Sequence, residues 1–154
     1  MKLATSFAIL LLCLLVPVVV AAQTAEVDWV HGTDFSRFHT FTWATGAYPI
    51  QDPDASLGMA RTVQSELEAK GVQFVDPQQK FDVFVTYNVK INPDALNPGQ
   101  QIITVKLSIF DSRNNTAVWR AGGYIALVND DKEQNRRNVR ALLAAMFQKY
   151  PPSE

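Results

Sequence analysis

Cysteine is almost absent from this sequence, which has one, Cys13, among its 154 residues. A single thiol excludes a disulfide-stabilised scaffold. Cys13 lies in an apolar segment near the amino terminus, so cleavage beyond it would leave a mature chain without cysteine. Such a chain could use neither thiolate catalysis nor a cysteine-ligated metal.

An excess of charge of one sign is also lacking. The chain has 14 lysines and arginines and 15 aspartates and glutamates, which gives a formal net charge of -1. This balance excludes a polybasic nucleic-acid binder, and we expect no nucleic-acid partner. The sequence has no G-x-S-x-G motif, no P-loop and no G-x-G-x-x-G fingerprint. From motifs, therefore, we assign no catalytic residue, no cofactor and no metal.

One long hydrophobic run is present, at the amino terminus. A lysine follows the first methionine, an apolar stretch comes next, and small residues close it. This order is typical of a secretory signal peptide over residues 1–22, cleaved between Ala22 and Gln23. We therefore expect a single exported domain over residues 23–154, either periplasmic or secreted.

Two alternatives to cleavage would place the protein at a membrane. The apolar stretch is about long enough to span a bilayer, so a retained leader would act as an anchor. Lipidation of Cys13 would also anchor the chain, but Leu11 and Leu12 precede this cysteine where small residues are required. Membrane association is thus expected only if the leader is retained or Cys13 is lipidated.

Residues 81–91 carry the clearest local pattern in the chain. Apolar side chains alternate with polar ones, except that Phe84 falls on the polar side. Period two predicts a strand with one buried face and one face in water. Residues 103–109 and 117–128 repeat the pattern across a short polar turn, so these two strands should be antiparallel. Shorter extended segments are expected around residues 27–30, 40–43 and 72–75.

Two further segments have helical periodicity. The first begins near Asp54 or Ser56, either of which can cap a helix, and ends at Lys70, before Gly71. The second covers residues 131–150 and has a single apolar stripe. An antiparallel sheet of about four to six strands, with both helices packed on one face, would bury all of these apolar surfaces. The sequence therefore predicts an α+β fold.

Two features are candidates for partner binding. Phe84 projects from the polar face of its strand, where an aromatic ring outside the core could contact a ligand or partner. Arg136, Arg137 and Arg140 lie on the polar flank of the last helix. They form either a solvated face with local ion pairs or a docking strip for an acidic partner or for anionic lipid headgroups. A glycine pair that begins at Gly122 indicates a bulge or a close approach to its strand.

His31 and His39 are the only histidines in the sequence. Their spacing matches no recognised zinc site, and surface or capping roles are expected for both. A hydrolase that used one of them would need a carboxylate to orient the imidazole. Asp28 and Asp34 are the nearest carboxylates along the chain.

Three ordered segments of the chain carry a family resemblance. They are DFSRF at residues 34–38 with TFTW at 40–43, LSIFD at 107–111 with VWR at 118–120, and MFQKYPP at 146–152. Together with the helix end at residues 68–71, they resemble the family catalogued as domain of unknown function 4136. Its members are bacterial cell-envelope proteins, often lipoproteins, so the resemblance implies an envelope location. It brings no catalytic residues with it.

These observations leave hypotheses from different classes of function. The first is a non-catalytic exported domain that binds or assembles with other cell-envelope proteins. One alternative is a carrier that holds a small apolar ligand between the helices and the sheet. The other is a hydrolase that uses His31 or His39.

Overall fold

A computed structural model of the chain describes residues 25–44, 53–128 and 131–152, with the backbone alone for residues 53–57. The expected leader therefore lies outside the described residues, and so do Cys13 and the cleavage site between Ala22 and Gln23. In the described part, no helix combines the length and the apolar composition that crossing a bilayer requires.

Six strands and two helices make up the described chain, and the α+β class is confirmed. In chain order they are β1 (Glu26–Trp29), β2 (Thr40–Trp43), α1 (Pro53–Ala69), β3 (Gln73–Phe74), β4 (Val83–Pro93), β5 (Gln101–Asp111), β6 (Thr116–Ala126) and α2 (Lys132–Phe147). A single 3-10 turn, Phe35–Arg37, lies between β1 and β2.

The strands form one sheet in the order β1-β6-β5-β4-β2-β3. Along β1, β6, β5 and β4, each strand is antiparallel to its neighbour, as expected. In contrast, β2 is parallel to both β4 and β3, so the sheet is mixed. The cause is the connection through α1, which carries the chain back along the sheet so that β2 and β3 run in the same direction.

The alternation predicted for β4 is present in the structure, where Val83, Val85 and Tyr87 are buried. Burial ends before Ile91, whose side chain is 58% exposed. On β6, in register with Ile91 across β5, Ile125 is buried. Because α2 packs against β6, it covers that side of the sheet, whereas no described element covers this end of β4.

The irregularity in β6 lies away from its glycine pair. Register is continuous where Gly122 pairs with Lys106. It shifts between Ile109 and Phe110 of β5, and the extra residue on β6 is Val118. Val118 is itself buried, so the bulge adds a side chain to the packed interior.

Gly71 ends α1 as predicted, with a φ of 85°. The N–H of Val72 donates to the carbonyl oxygen of Leu67 at 3.0 Å, and the N–H of Gly71 donates to that of Glu68 at 3.0 Å. These two bonds define a Schellman motif, in which glycine adopts the left-handed conformation at little cost. Leu67 and Val72 are both buried in the core, which adds the apolar contact typical of this motif.

The apolar stripe of α2 joins the helix layer to the sheet. Leu142, Leu143, Met146 and Phe147 are buried along it. Phe147 stacks on Trp119 of β6, with ring centroids 5.4 Å apart. The two helices and the inner side of the sheet therefore share a single core.

Asp131 caps α2, because its carboxylate accepts a hydrogen bond from the N–H of Gln134 at 2.8 Å. Asp131→Ala removes this acceptor and is expected to lower the free energy of unfolding by about 1 kcal/mol, as measured by urea denaturation. Glu133→Ala, at an exposed position in the first turn of the helix, is the control and should cost less than about 0.5 kcal/mol. Equal losses for the two variants would contradict a specific capping role.

Candidate functional site

The sheet has one face beneath the helices and one face that no described element covers, which we call the open face. Strand register and alternation assign its residues. They include Glu26 and Asp28 of β1, Phe84, Thr86, Asn88 and Lys90 of β4, Thr104, Lys106, Ser108 and Phe110 of β5, and Arg120, Gly122 and Tyr124 of β6.

Phe84 lies at one end of the open face, directly opposite Phe110 on β5. The two rings stack, with centroids 4.9 Å apart and planes 3° from parallel. Thr42 of β2 flanks Phe84 on the other side and is buried. Phe84 therefore faces the side that the alternation predicted, half-buried against an aromatic neighbour that only strand register could identify.

A shallow depression of about 390 Å³ occupies the opposite part of the open face, across β1, β6 and β5. Gly122 lies at its centre, flanked in register by Glu26 on β1 and Lys106 on β5. One row along, Arg120 pairs in register with Asp28 on β1 and with Ser108 on β5. The depression therefore has two carboxylates along one wall and two cations on its floor and opposite wall.

The four charged side chains of the depression are exposed. Opposite charges directly across from each other on antiparallel strands usually form a stabilising pair. Here Asp28 is directly opposite Arg120. Nevertheless, none of the ion pairs among the described residues joins Glu26 or Asp28 to Lys106 or Arg120. In the part of the chain that the structure describes, these four charged groups therefore have no ion-pair partner.

A second cavity, of about 180 Å³, lies at the end of the sheet and is lined in part by Arg37, Asp82 and Arg113. Beside it, the buried carboxylate of Asp111 accepts from Arg37 Nη2 at 2.5 Å and from Arg113 Nη2 at 2.9 Å. The Arg113 hydrogen bond, more than any other contact, holds the pKa of Asp111 below its ordinary value. This cluster connects the end of β5 to the 3-10 turn. Neither cavity lies between the helices and the sheet, where an apolar-ligand carrier would hold its ligand.

Asp82 makes a similar link between the start of β4 and the start of β2. One carboxylate oxygen accepts from the N–H of His39 at 2.9 Å and from the N–H and hydroxyl of Thr40, both at 3.0 Å. Burial by itself would raise the pKa of Asp82, but these hydrogen bonds together lower it. The role of His39 in this link belongs to its backbone.

Among the described residues, neither histidine ring forms a hydrogen bond or ion pair with Asp28 or Asp34, the carboxylates that the hydrolase hypothesis assigned to it. The ring of His31 contacts Trp29, with centroids 5.3 Å apart. Asp34 accepts from the N–H and hydroxyl of Ser36 in the 3-10 turn, and Asp28 lies on the open face. Across residues 25–44, 53–128 and 131–152, no group of three or more His, Cys, Asp or Glu side chains is placed to hold a metal ion.

The arginines of α2 lie on the exposed side of the helix, away from the open face. Arg136 forms an ion pair with Glu133 at 2.5 Å, and Arg137 donates to the side-chain oxygen of Gln134 at 2.8 Å. Arg140 is exposed and has no such bond among the described residues. Two of the three arginines therefore have local partners on their own helix, as a solvated face would have.

Sequence reasoning did not identify the residues of the depression. Alternation in β5 and β6 could have assigned Lys106 and Arg120 to the polar face. It could not show that β1 lies beside β6, which brings Glu26 and Asp28 next to residues about a hundred positions away. The Gly122 pair was the one local signal, since a glycine inside a strand often marks a close approach.

Among curated proteins, none matches the chain significantly. Several solved structures have a similar fold. PelC from Paraburkholderia phytofirmans, a dodecamer, is 17% identical over 80% of this chain and 94% of its own, with a TM-score of 0.56. A PDZ domain protein from Parabacteroides distasonis is 14% identical over 86% of this chain, with a TM-score of 0.65. This chain spans only 36% of that protein.

A DUF4136 family protein from Bacteroides thetaiotaomicron is 12% identical over 84% of this chain and 96% of its own, with a TM-score of 0.58. Likeness at such identities shows a shared fold and leaves function open. The family described as Domain of unknown function (DUF4136) matches residues 25–152, which is nearly all of the chain beyond the expected leader. The resemblance seen in the sequence is thereby confirmed, and this chain belongs to the DUF4136 family.

Proposed function

We propose that this protein is exported to the bacterial cell envelope, where its domain binds another envelope component through the open face without catalysing a reaction. The leader pattern over residues 1–22 and the envelope proteins of the DUF4136 family support the compartment. The observation that carries the binding role is the depression on the face that the helices leave uncovered, where four charges have no ion-pair partner among the described residues.

The open face combines the two kinds of contact that protein interfaces use. Exposed charges of both signs steer a complementary partner and set its orientation. The stacked rings of Phe84 and Phe110 add an apolar anchor at the other end of the face. The arginines of α2 contribute less to this proposal, because Arg136 and Arg137 already have partners.

Photo-cross-linking of the full chain in a bacterial host tests the proposal. A photoreactive phenylalanine analogue replaces Asn88, which is exposed on the open face, or Arg61, which is exposed on α1 and is the matched control. We expect a defined cross-linked envelope protein from position 88 alone. Lys106→Glu, which reverses one charge of the depression, should reduce its yield several-fold. Identical products from both positions, or none from position 88, would overturn the binding role.

The full chain recovered from the same bacterial host also tests export. We expect the recovered protein to begin at Gln23 and to be released with the periplasmic fraction. A chain that kept residues 1–22 and remained with the membrane would show that the leader is not cleaved. The binding role of the open face would not be affected by that result, because the cross-links test it separately.

A second candidate function is assembly of several copies of this chain. It is favoured by the likeness to PelC, which is a dodecamer. In that case the protein cross-linked from position 88 would be the chain itself, and sedimentation of the purified protein would show a concentration-dependent oligomer.

A further inference from the structure

The charges of the depression are separated by sign. The carboxylates of Glu26 and Asp28 belong to β1 at the edge of the sheet, whereas Arg120 and Lys106 belong to the next two strands inward. Neighbouring strands lie about 5 Å apart. The acidic row is therefore about 5 Å from β6, which carries Arg120, and about 10 Å from β5, which carries Lys106. The depression is therefore a dipolar surface with fixed polarity.

Gly122 makes the depression possible. A Cβ atom built at this position would lie 3.7 Å from the carbonyl oxygen of Val105 and 3.9 Å from Cγ of Lys106. Both distances are ordinary van der Waals contacts, so the backbone does not require glycine here. A side chain would fit, but it would project into the space between the acidic and basic groups. The absence of one is what leaves that space open.

We propose that this depression binds a short peptide with two free termini, its ammonium group against Glu26 and Asp28 and its carboxylate against Arg120 and Lys106. The argument is charge complementarity. The termini of a dipeptide or tripeptide are separated by about 5 to 10 Å, which matches the spacing of the two rows. The guanidinium of Arg120 suits a carboxylate because its N–H groups form a planar fork. The Ser108 hydroxyl, beside Arg120 in register, can bond the peptide's amide.

This inference rests on the proposed function, because it names the ligand class for the open face. The four charges are exposed to water, so each contact is weak and screened by salt. We expect a dissociation constant on the order of 1 to 10 mM at low ionic strength, with affinity falling as salt is added.

The test is an NMR titration of the ¹⁵N-labelled protein with L-alanyl-L-alanine at low salt. Amide shifts are expected at Gly122 and Arg120 and their neighbours. N-acetyl-alanyl-alanine lacks the ammonium group and alanyl-alanine amide lacks the carboxylate, so each should bind up to about fivefold more weakly. Equal binding of the three compounds, or shifts confined to other surfaces, would overturn the proposal.

Substitutions assign each terminus to its wall. The double variant Glu26→Gln with Asp28→Asn should bind the parent dipeptide and its N-acetyl analogue equally. Arg120→Gln should likewise bind alanyl-alanine and alanyl-alanine amide equally. Gly122→Val fills the depression and should abolish binding, with circular dichroism showing that the fold is kept. Lys132→Gln, at an exposed lysine on α2 and away from the open face, is the control and should leave affinity unchanged.

The two proposals fail in different ways. If the dipeptide does not bind but position 88 still yields an envelope partner, the peptide-terminus site is wrong and the binding role of the open face remains. If position 88 yields only a second copy of this chain, the open face is a self-association surface and the peptide site is overturned as well.

Discussion

Trp119→Ala is expected to lower the free energy of unfolding by about 3–5 kcal/mol, the largest effect of any single substitution considered for this protein. Trp119 is fully buried at the centre of β6. Its ring stacks on Phe147 of α2 and meets the edge of Tyr150 at a centroid distance of 5.5 Å. Truncation would therefore remove contacts that join the sheet to the helix layer and leave a cavity in the core.

Urea denaturation followed by circular dichroism measures this loss, since the substitution removes a fluorophore. Tyr124→Ala, on the same strand but 62% exposed, is the control and should change stability by less than about 0.5 kcal/mol. The indole N–H of Trp119 has no hydrogen-bond partner in the described part of the chain. Trp119→Phe therefore loses buried apolar area but no hydrogen bond, and it should be more stable than Trp119→Ala and less stable than wild type. Similar losses for Trp119→Ala and Tyr124→Ala would show that the shared core lies elsewhere.

Asp111→Asn is expected to lower the free energy of unfolding by about 2–4 kcal/mol at pH 7. The Asp111 side chain is 2% exposed and pairs with Arg37 and Arg113. The asparagine amide would lose both ion pairs and would place its own N–H donors against the N–H donors of the arginines. The loss is moderated because the arginine side chains are 37% and 63% exposed, so water can solvate them once the carboxylate is gone. Asp94→Asn, in an exposed loop, is the control and should cost much less.

The same variant has a pH signature. Hydrogen bonds from Arg113 hold the pKa of Asp111 below its ordinary value of 3.8, against the opposite effect of burial. Because its pKa is lower in the folded protein, Asp111 binds a proton more readily in the unfolded chain. Its contribution to the free energy of unfolding is therefore fully present above pH 3.8 and is lost as the pH falls through the folded-state pKa. The stability difference between wild type and Asp111→Asn should therefore shrink in acid, although Asp82, whose pKa is also lowered, keeps both proteins acid-sensitive. A difference that stayed constant from pH 7 to acid would refute the ion-pair account.

The secondary structure was largely predictable because its signals are local. The alternation around Val83, Val85 and Tyr87 marked a half-buried strand, and the stripe through Leu142 and Phe147 marked a helix face. Gly71 marked the end of α1, since its left-handed conformation is a property of the residue itself. Each of these patterns depends on neighbours only a few positions away.

The candidate site was predictable only in part. Alternation placed Phe84 on the outer face, but its stacking partner Phe110 follows from the register between β4 and β5. Arg136 and Arg137 were placed on the flank of a helix, and the structure adds the side chains that already bind them. The depression on the open face gave almost no sequence signal, because its walls come from strands that are far apart in the sequence, β1 on one side and β5 and β6 on the other.

The sequence by itself therefore determined the α+β class, the buried side of each long strand and helix, and the resemblance that the DUF4136 match bears out. Only the tertiary structure decided that β1 lies beside β6, that β2 is parallel to its neighbours, and that Arg37 meets Asp111 across 74 positions. The physical reason is that periodicity records which side of an element faces the core. The lateral order of strands instead minimises the free energy of the whole packed chain, to which residues far apart in sequence contribute together.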